Sequence, residues 1–100
     1  MIAEDVAGQA PGRAPRYLAN REVSRREEEG GTLLYDPDAD EVTIVNATGA
    51  ELLDALDEPR TVDELAGRLV AVFSGVDLER ARADVLTFLD DIPDNFVSAV

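Results

Sequence analysis

Three aspartates at alternate positions, Asp36, Asp38 and Asp40, have the spacing most suggestive of chemistry in this chain. Carboxylates spaced in this way begin calcium-binding loops, because alternate oxygens can converge on one hard cation. The rest of the loop pattern fails, since the sixth position is Glu41 where glycine is needed and the twelfth is Ala47 where a bidentate glutamate is needed. An aspartate-rich hairpin turn is the better interpretation, and no metal is predicted.

Most catalytic mechanisms are excluded by the residue types that the chain lacks. It contains no cysteine and no histidine, which rules out disulfides, thiolate nucleophiles, imidazole bases and nearly all zinc or haem sites. No hydroxyl nucleophile stands at a suggestive spacing from a carboxylate base. None of the three serines, Ser24, Ser74 and Ser98, lies in the Asp-Ser-Leu pattern of an acyl-carrier protein. The sequence therefore predicts a non-enzymatic protein without a cofactor.

The charge balance argues against nucleic acid as the partner. The chain carries 22 acidic and 9 basic residues, all of the latter arginine, and its formal net charge is −13 at pH 7. A phosphate backbone would be repelled by this charge. Arg80 and Arg82 are too few to offset it, and surface pairing with Glu79 and Asp84 is their simplest role. A salt bridge to an acidic peptide is another possible use.

Length and composition indicate one folded domain. The chain has 100 residues, of which 45% are hydrophobic and 31% charged, as in ordinary globular proteins. We expect residues 1–16 to be a disordered tail, residues 17–93 to form the domain, and residues 94–100 to be a docked tail or an edge strand. No apolar run reaches the roughly 20 residues that span a bilayer, and the acidic start does not resemble a signal peptide. A cytoplasmic protein is therefore expected.

The first half of the domain is predicted to form three short strands. A weak strand signal covers residues 22–26, ahead of a turn at Gly30 and Gly31. Residues 32–35 and 41–45 are richer in strand-forming side chains, and the turn residues between them predict an antiparallel hairpin.

The second half changes to helical periodicity. Thr48 and Glu51 have the spacing of a capping box and predict a first helix over about residues 49–57. Thr61 and Glu64 repeat that spacing ahead of a second helix.

A third helix is predicted between a capping Asp77 and the helix-breaking Pro93. Three antiparallel strands followed by three helices pack economically as an α+β winged helix-turn-helix, with the sheet as a wing beside the helices. Such a small sheet leaves at least one edge open, and an open edge presents unpaired N–H and C=O groups.

Four segments of the chain resemble a known family in their order and spacing. They are Leu34-Tyr35-Asp36-Pro37, Val45-Asn46-Ala47-Thr48-Gly49-Ala50, Pro59-Arg60-Thr61-Val62-Asp63-Glu64-Leu65 and Arg82-Ala83-Asp84-Val85-Leu86-Thr87-Phe88-Leu89. Over residues 20–92 the chain is similar to the PqqD-like family of RiPP recognition elements, where RiPPs are ribosomally made, modified peptides. The hairpin followed by Asn-x-Thr-Gly-Ala is the most specific part. The resemblance implies a winged-helix domain that binds the leader of a precursor peptide and presents it to a modifying enzyme, often a radical-SAM protein.

The resemblance also implies a mode of binding, in which the leader adds a strand beside the third strand in a cleft closed by the third helix. The candidate contact residues are Glu41, Val42, Thr43, Ile44 and Val45 on the strand, and Arg82, Val85, Leu86 and Leu89 on the helix. Leu86 lies off the main apolar face beside Arg82, which suggests a groove that reads apolar and acidic leader positions, although a wider buried face explains it equally well. If Leu86 is core, the opposite flank with Asp84 and Phe88 is the better candidate.

The expected partners of this monomer are a precursor peptide and a modifying enzyme, with no nucleic acid and no membrane. Two other functions remain open. A structural adaptor would bind a folded partner without peptide preference, whereas a DNA-binding winged helix would bind duplex with a steep salt dependence.

Overall fold

Strands dominate the first half of the chain and helices the second half in the computed structural model, which describes residues 14–100. In chain order the elements are β1 (Tyr17–Ala19), β2 (Ser24–Glu28), β3 (Gly31–Asp36), β4 (Glu41–Val45), α1 (Ala47–Ala55), α2 (Val62–Val72), α3 (Leu78–Asp91) and β5 (Val97–Ala99). The strands β2, β3 and β4 form an antiparallel sheet in that order. The predicted α+β class, a three-stranded antiparallel sheet followed by three helices, is confirmed.

The aspartate-rich segment forms the turn between β3 and β4. The buried Asp36 carboxylate accepts a hydrogen bond from the Asp38 backbone N–H at 3.0 Å and another from the Asn95 side-chain amide at 2.9 Å. The hydrogen bond from Asn95 holds the pKa of Asp36 below its ordinary value. Asp40 adopts a positive φ of 53° and accepts a hydrogen bond from the Tyr35 hydroxyl at 3.1 Å. The interpretation as a turn is therefore confirmed.

The first helix begins two residues earlier than predicted, at Ala47. Its N-cap is Asn46, whose side chain accepts a hydrogen bond from the Gly49 backbone N–H at 2.9 Å. The predicted capping box of Thr48 and Glu51 is therefore wrong. Asparagine is one of the strongest N-caps, and here it allows the helix to begin directly after β4.

The caps of the other two helices were predicted correctly. Thr61 and Glu64 form a reciprocal capping box at the start of α2, with hydrogen bonds of 3.1 and 3.0 Å. Asp77 caps α3 by accepting a hydrogen bond from the Arg80 backbone N–H at 2.8 Å. No helix in the described part of the chain is both long and apolar enough to cross a bilayer.

The segment after Pro93 packs onto the domain. Phe96 is 1% exposed and lies in the core. The next residues form β5, which pairs antiparallel with β1. At the other end, the predicted tail of residues 1–16 lies mostly outside the described residues, but Arg16 is described and donates a hydrogen bond to the Glu64 carboxylate at 3.1 Å.

The core joins the sheet to all three helices. Its largest fully buried side chains are Leu34, Leu52, Leu56, Leu65, Leu69, Val85 and Phe96. They come from β3, each helix and the C-terminal segment, so the inner face of the sheet is held against the helical cluster by apolar burial.

Candidate functional site

The outer edge of β4 carries main-chain groups that have no partner in the sheet. A two-residue loop joins β2 to β3, so its closing pair, Glu28 and Gly31, must be a hydrogen-bonded pair. Hydrogen-bonded and non-hydrogen-bonded pairs alternate along an antiparallel ladder. The main-chain N–H and C=O groups of every second residue of β3 therefore point toward β4 and not toward β2. The pairs that join β3 to β4 by hydrogen bonds are then Thr32 with Val45, Leu34 with Thr43, and Asp36 with Glu41.

This register leaves Val42 and Ile44 with their N–H and C=O groups directed away from the sheet. Within residues 14–100 no strand pairs with that edge, and no other backbone group bonds to these two residues. Both side chains are 55% exposed and lie on the outer face of the sheet. Among the described residues, this edge of the sheet is therefore unpaired.

The opposite edge of the sheet, formed by β2, is less suited to adding a strand. Its sequence is Ser-Arg-Arg-Glu-Glu and every residue is exposed. Charged side chains on an edge strand oppose further pairing. Arg25 also turns toward α1, where it donates hydrogen bonds to the Asp54 carboxylate at 2.6 Å and the Leu53 carbonyl at 3.1 Å.

A groove of about 420 Å³ lies beside β4, between that strand and the third helix, and we call it the β4–α3 groove. Its lining comes from the end of β4 and the start of α1 (Thr43, Ile44, Val45, Asn46, Thr48 and Gly49) and from α3 and its C-cap (Arg80, Asp84, Thr87, Phe88, Asp91 and Ile92). The α3 positions recur at intervals of three and four residues, so they form one stripe along the helix. The groove therefore combines an open strand edge with a mixed polar and apolar helix face.

Gly49 allows the first turn of α1 to pack closely against both β4 and α3. A Cβ atom at this position would lie 2.9 Å from the Cβ of Val45 and 3.3 Å from the ring of Phe88. Both distances are tighter than ordinary van der Waals contact, so only glycine fits without a shift of its neighbours. Asn46 starts the helix, and Gly49 lets its first turn contact both β4 and α3. These two roles give a physical reason for the Asn-x-Thr-Gly-Ala pattern.

Three of the five strand candidates, Thr43, Ile44 and Val45, line the groove. Val42 borders the edge through its main chain, but its side chain lies on the outer face with those of Leu33 and Tyr35. Glu41 pairs with Asp36 at the hairpin end of the strand and does not line the groove.

The four helix candidates lie outside the groove lining. Val85 is fully buried in the core, and Leu89 is partly buried against it. Arg82 reaches α2, where it donates hydrogen bonds to Asp63 at 2.6 and 2.9 Å. Leu86 is 54% exposed on the surface of α3 and lines none of the groove.

The groove instead lies along the flank that contains Asp84 and Phe88, which was predicted only as the alternative. Arg80, Thr87 and Asp91 complete that flank and were not among the candidates. No apolar periodicity distinguishes these positions. The only available signal was Gly49, because a glycine beside a strand end indicates a close approach of another element.

Comparison with known proteins decides the family. A family model described as "Coenzyme PQQ synthesis protein D (PqqD)" matches residues 31–95. The chain belongs to the PqqD family. The PqqD match begins at β3 and ends after α3, so it includes every residue that lines the β4–α3 groove. The resemblance seen in the sequence is confirmed.

A solved structure has a fold similar to that of this PqqD-family chain. It is titled "Lasso peptide synthetase B1 complexed with the leader peptide". The two chains superpose with a TM-score of 0.63 at 20% sequence identity, and the similarity covers 84% of this chain and 96% of that one. A search of curated proteins found no match.

Proposed function

We propose that this PqqD-family protein binds the leader segment of a ribosomally synthesised precursor peptide and presents the peptide to a modifying enzyme. The observation that carries the proposal is the open edge of β4, which runs beside a groove lined by α3. The likeness to a lasso peptide synthetase B1 structure that contains a leader peptide supports it. The protein itself would supply recognition, while chemistry would belong to the enzyme, for which a radical-SAM protein is the expectation from the family resemblance.

The leader would add to the sheet as a further strand beside β4. Val42 and Ile44 each present one N–H and one C=O at the edge, and an antiparallel partner would exchange two bonds with each of them. These bonds involve only the main chain of the leader. They would therefore give affinity without selecting its sequence.

Selection would come from alternate side chains of the added strand, because successive residues of a strand point to opposite faces. One set would enter the β4–α3 groove between Val45 and Phe88. The other set would continue the outer face of the sheet beside Val42 and Ile44. Ordering a disordered leader costs several kcal/mol, so a micromolar or somewhat tighter complex is expected, from which product can leave.

The proposal is tested by removing one outward-facing N–H from β4. Ile44→Pro deletes the N–H at the free edge, where proline is tolerated because that group does not bond to β3. The matched control is Ile44→Ala, which shortens the side chain and keeps the N–H. The probe is a set of synthetic peptides that tile the N-terminal part of each short open reading frame beside this gene, and binding is measured by fluorescence anisotropy.

We expect Ile44→Pro to weaken leader binding by at least about tenfold, or 1.4 kcal/mol, with an unchanged circular dichroism spectrum. Ile44→Ala should lose much less affinity. In NMR, leader should perturb the amides of β4 and α3 in the unmodified protein. Perturbations confined to α2, or equal losses in the two variants, would contradict strand addition at β4.

A further inference from the structure

Most arginines of this acidic protein form salt bridges with its own aspartate and glutamate side chains. Among residues 14–100, every arginine except Arg21 forms a salt bridge within the chain. Arg82, which the sequence suggested as a partner for an acidic leader residue, is bonded to Asp63 on α2. Of the residues that the structure describes, Arg80 is the only cation that lines the β4–α3 groove, and its side chain lies 3.8 Å from Asp84. The groove therefore offers little to an acidic peptide.

The same groove contains carboxylate charge in excess. Asp84 and Asp91 both line it from α3, and only Asp84 has a cationic partner there. Asp91 forms no ion pair and no side-chain hydrogen bond with the described part of the chain. An added strand would displace water from between the apolar Val45 and Phe88, and electrostatic attraction strengthens as water is excluded. The whole-chain charge of −13 would also draw basic peptides toward the site.

We infer that the β4–α3 groove selects a leader segment in which a lysine or arginine meets Asp91. This inference rests on the proposed function and names the chemistry of its ligand. Phe88 and Asp91 lie three residues apart, about 4.5 Å along the helix axis, while groove-facing residues of an added strand lie about 7 Å apart. For an added strand that runs along α3, the basic residue should be the next groove-facing residue after the apolar one that packs on Phe88, because a long lysine or arginine side chain can span the difference. The preferred pattern is apolar-x-basic, or its reverse if the strand runs in the other direction.

Asp90 provides a matched control for Asp91. Both residues are exposed neighbours on α3, and both lose one negative charge when changed to asparagine, but only Asp91 lines the groove. A general effect of protein charge would appear equally in Asp90→Asn and Asp91→Asn. A direct contact would appear only in the second variant.

The experiment selects short randomised peptides by display on the unmodified protein and then measures the affinities of the enriched sequences. We expect enrichment of lysine or arginine two positions from an apolar residue. Asp91→Asn should weaken those peptides by about threefold to tenfold at low salt, and Asp90→Asn by less than twofold. Asp91→Lys should recover affinity for peptides in which glutamate replaces the basic residue.

Each result has a separate meaning. Selected peptides that perturb the β4 amides but show no basic preference would overturn this inference and leave peptide binding by strand addition intact. Equal losses in the two asparagine variants would also overturn it. Peptides that bind elsewhere on the protein, or no enriched peptides at all, would overturn the proposed function as well.

Discussion

Gly49 provides a sharp test of how the groove is built. In Gly49→Ala the added methyl group would lie 2.9 Å from the Cβ of Val45, an atom fixed close to the main chain of β4. It would also lie 3.3 Å from the ring of Phe88. Overpacking of this kind costs about 1–3 kcal/mol, and the better helix propensity of alanine returns about 0.5–1 kcal/mol. We therefore expect a net loss of about 1–2 kcal/mol in the free energy of unfolding.

The assay compares thermal unfolding of Gly49→Ala with that of Gly67→Ala. For a domain of this size 1 kcal/mol shifts Tm by about 4–8 °C, so Gly49→Ala should lower Tm by about 5–15 °C. Gly67 lies in α2, where a Cβ atom would meet nothing within 4 Å. The identical substitution there should raise Tm by a few degrees, because alanine is favoured over glycine in an exposed helix.

Leader affinity supplies the second measurement for the same pair of variants. The displaced Phe88 ring is a wall of the groove, so Gly49→Ala should also weaken leader binding at a temperature where it remains folded. A Gly49→Ala protein that melts at or above the temperature of the unmodified protein, while Gly67→Ala behaves as expected, would refute the claim that close packing at Gly49 fixes the groove.

Two further predictions concern the C-terminal segment. Asn95→Ala should reduce the free energy of unfolding more near pH 7 than near pH 3, because a lowered pKa of Asp36 gives stability that is present above the unfolded-state pKa and is lost as pH falls through the folded-state pKa. Urea unfolding at the two pH values measures this, and equal losses would count against it. Phe96→Ala should destabilise the fold by about 3–5 kcal/mol, as expected for a fully buried aromatic side chain. A loss below about 1 kcal/mol in the same assay would show that the segment is dispensable.

Elements with local signals could be predicted from the sequence. The bounds of β4, at residues 41–45, follow from a β-branched run between turn residues and a helix. The caps at Thr61 and Asp77 were equally local, since each lies next to its own helix start. The start of α1 was predicted two residues too late, because Thr48 and Glu51 have the spacing of a capping box and nothing local shows how closely the helix follows β4.

Features that depend on long-range packing could not be predicted. β1 and β5 are three residues each and lie at opposite ends of the domain, so nothing local indicates that they pair. The helix side of the groove also depends on long-range packing. A helical wheel distinguishes the buried Val85 from exposed positions. It does not show which exposed flank of α3 lies beside β4, because that depends on the close packing of Gly49 against Phe88. Leu86 was preferred because it lies off the main apolar face of the helical wheel, beside Arg82, where a leucine is conspicuous.

The pairing of β1 with β5 brings Arg16 next to Val100. The Val100 backbone N–H donates to the Arg16 carbonyl at 2.9 Å, and Tyr17 stands opposite Ala99. Arg16 and Val100 therefore lie beside each other at the ends of two adjacent strands, about 5 Å apart. Neither strand contributes to the β4–α3 groove. We therefore expect that residues 16–100 can be inserted into a surface loop of an unrelated carrier protein. The two ends of that loop would need to lie only as far apart as two neighbouring strands, and the β4–α3 groove would stay free.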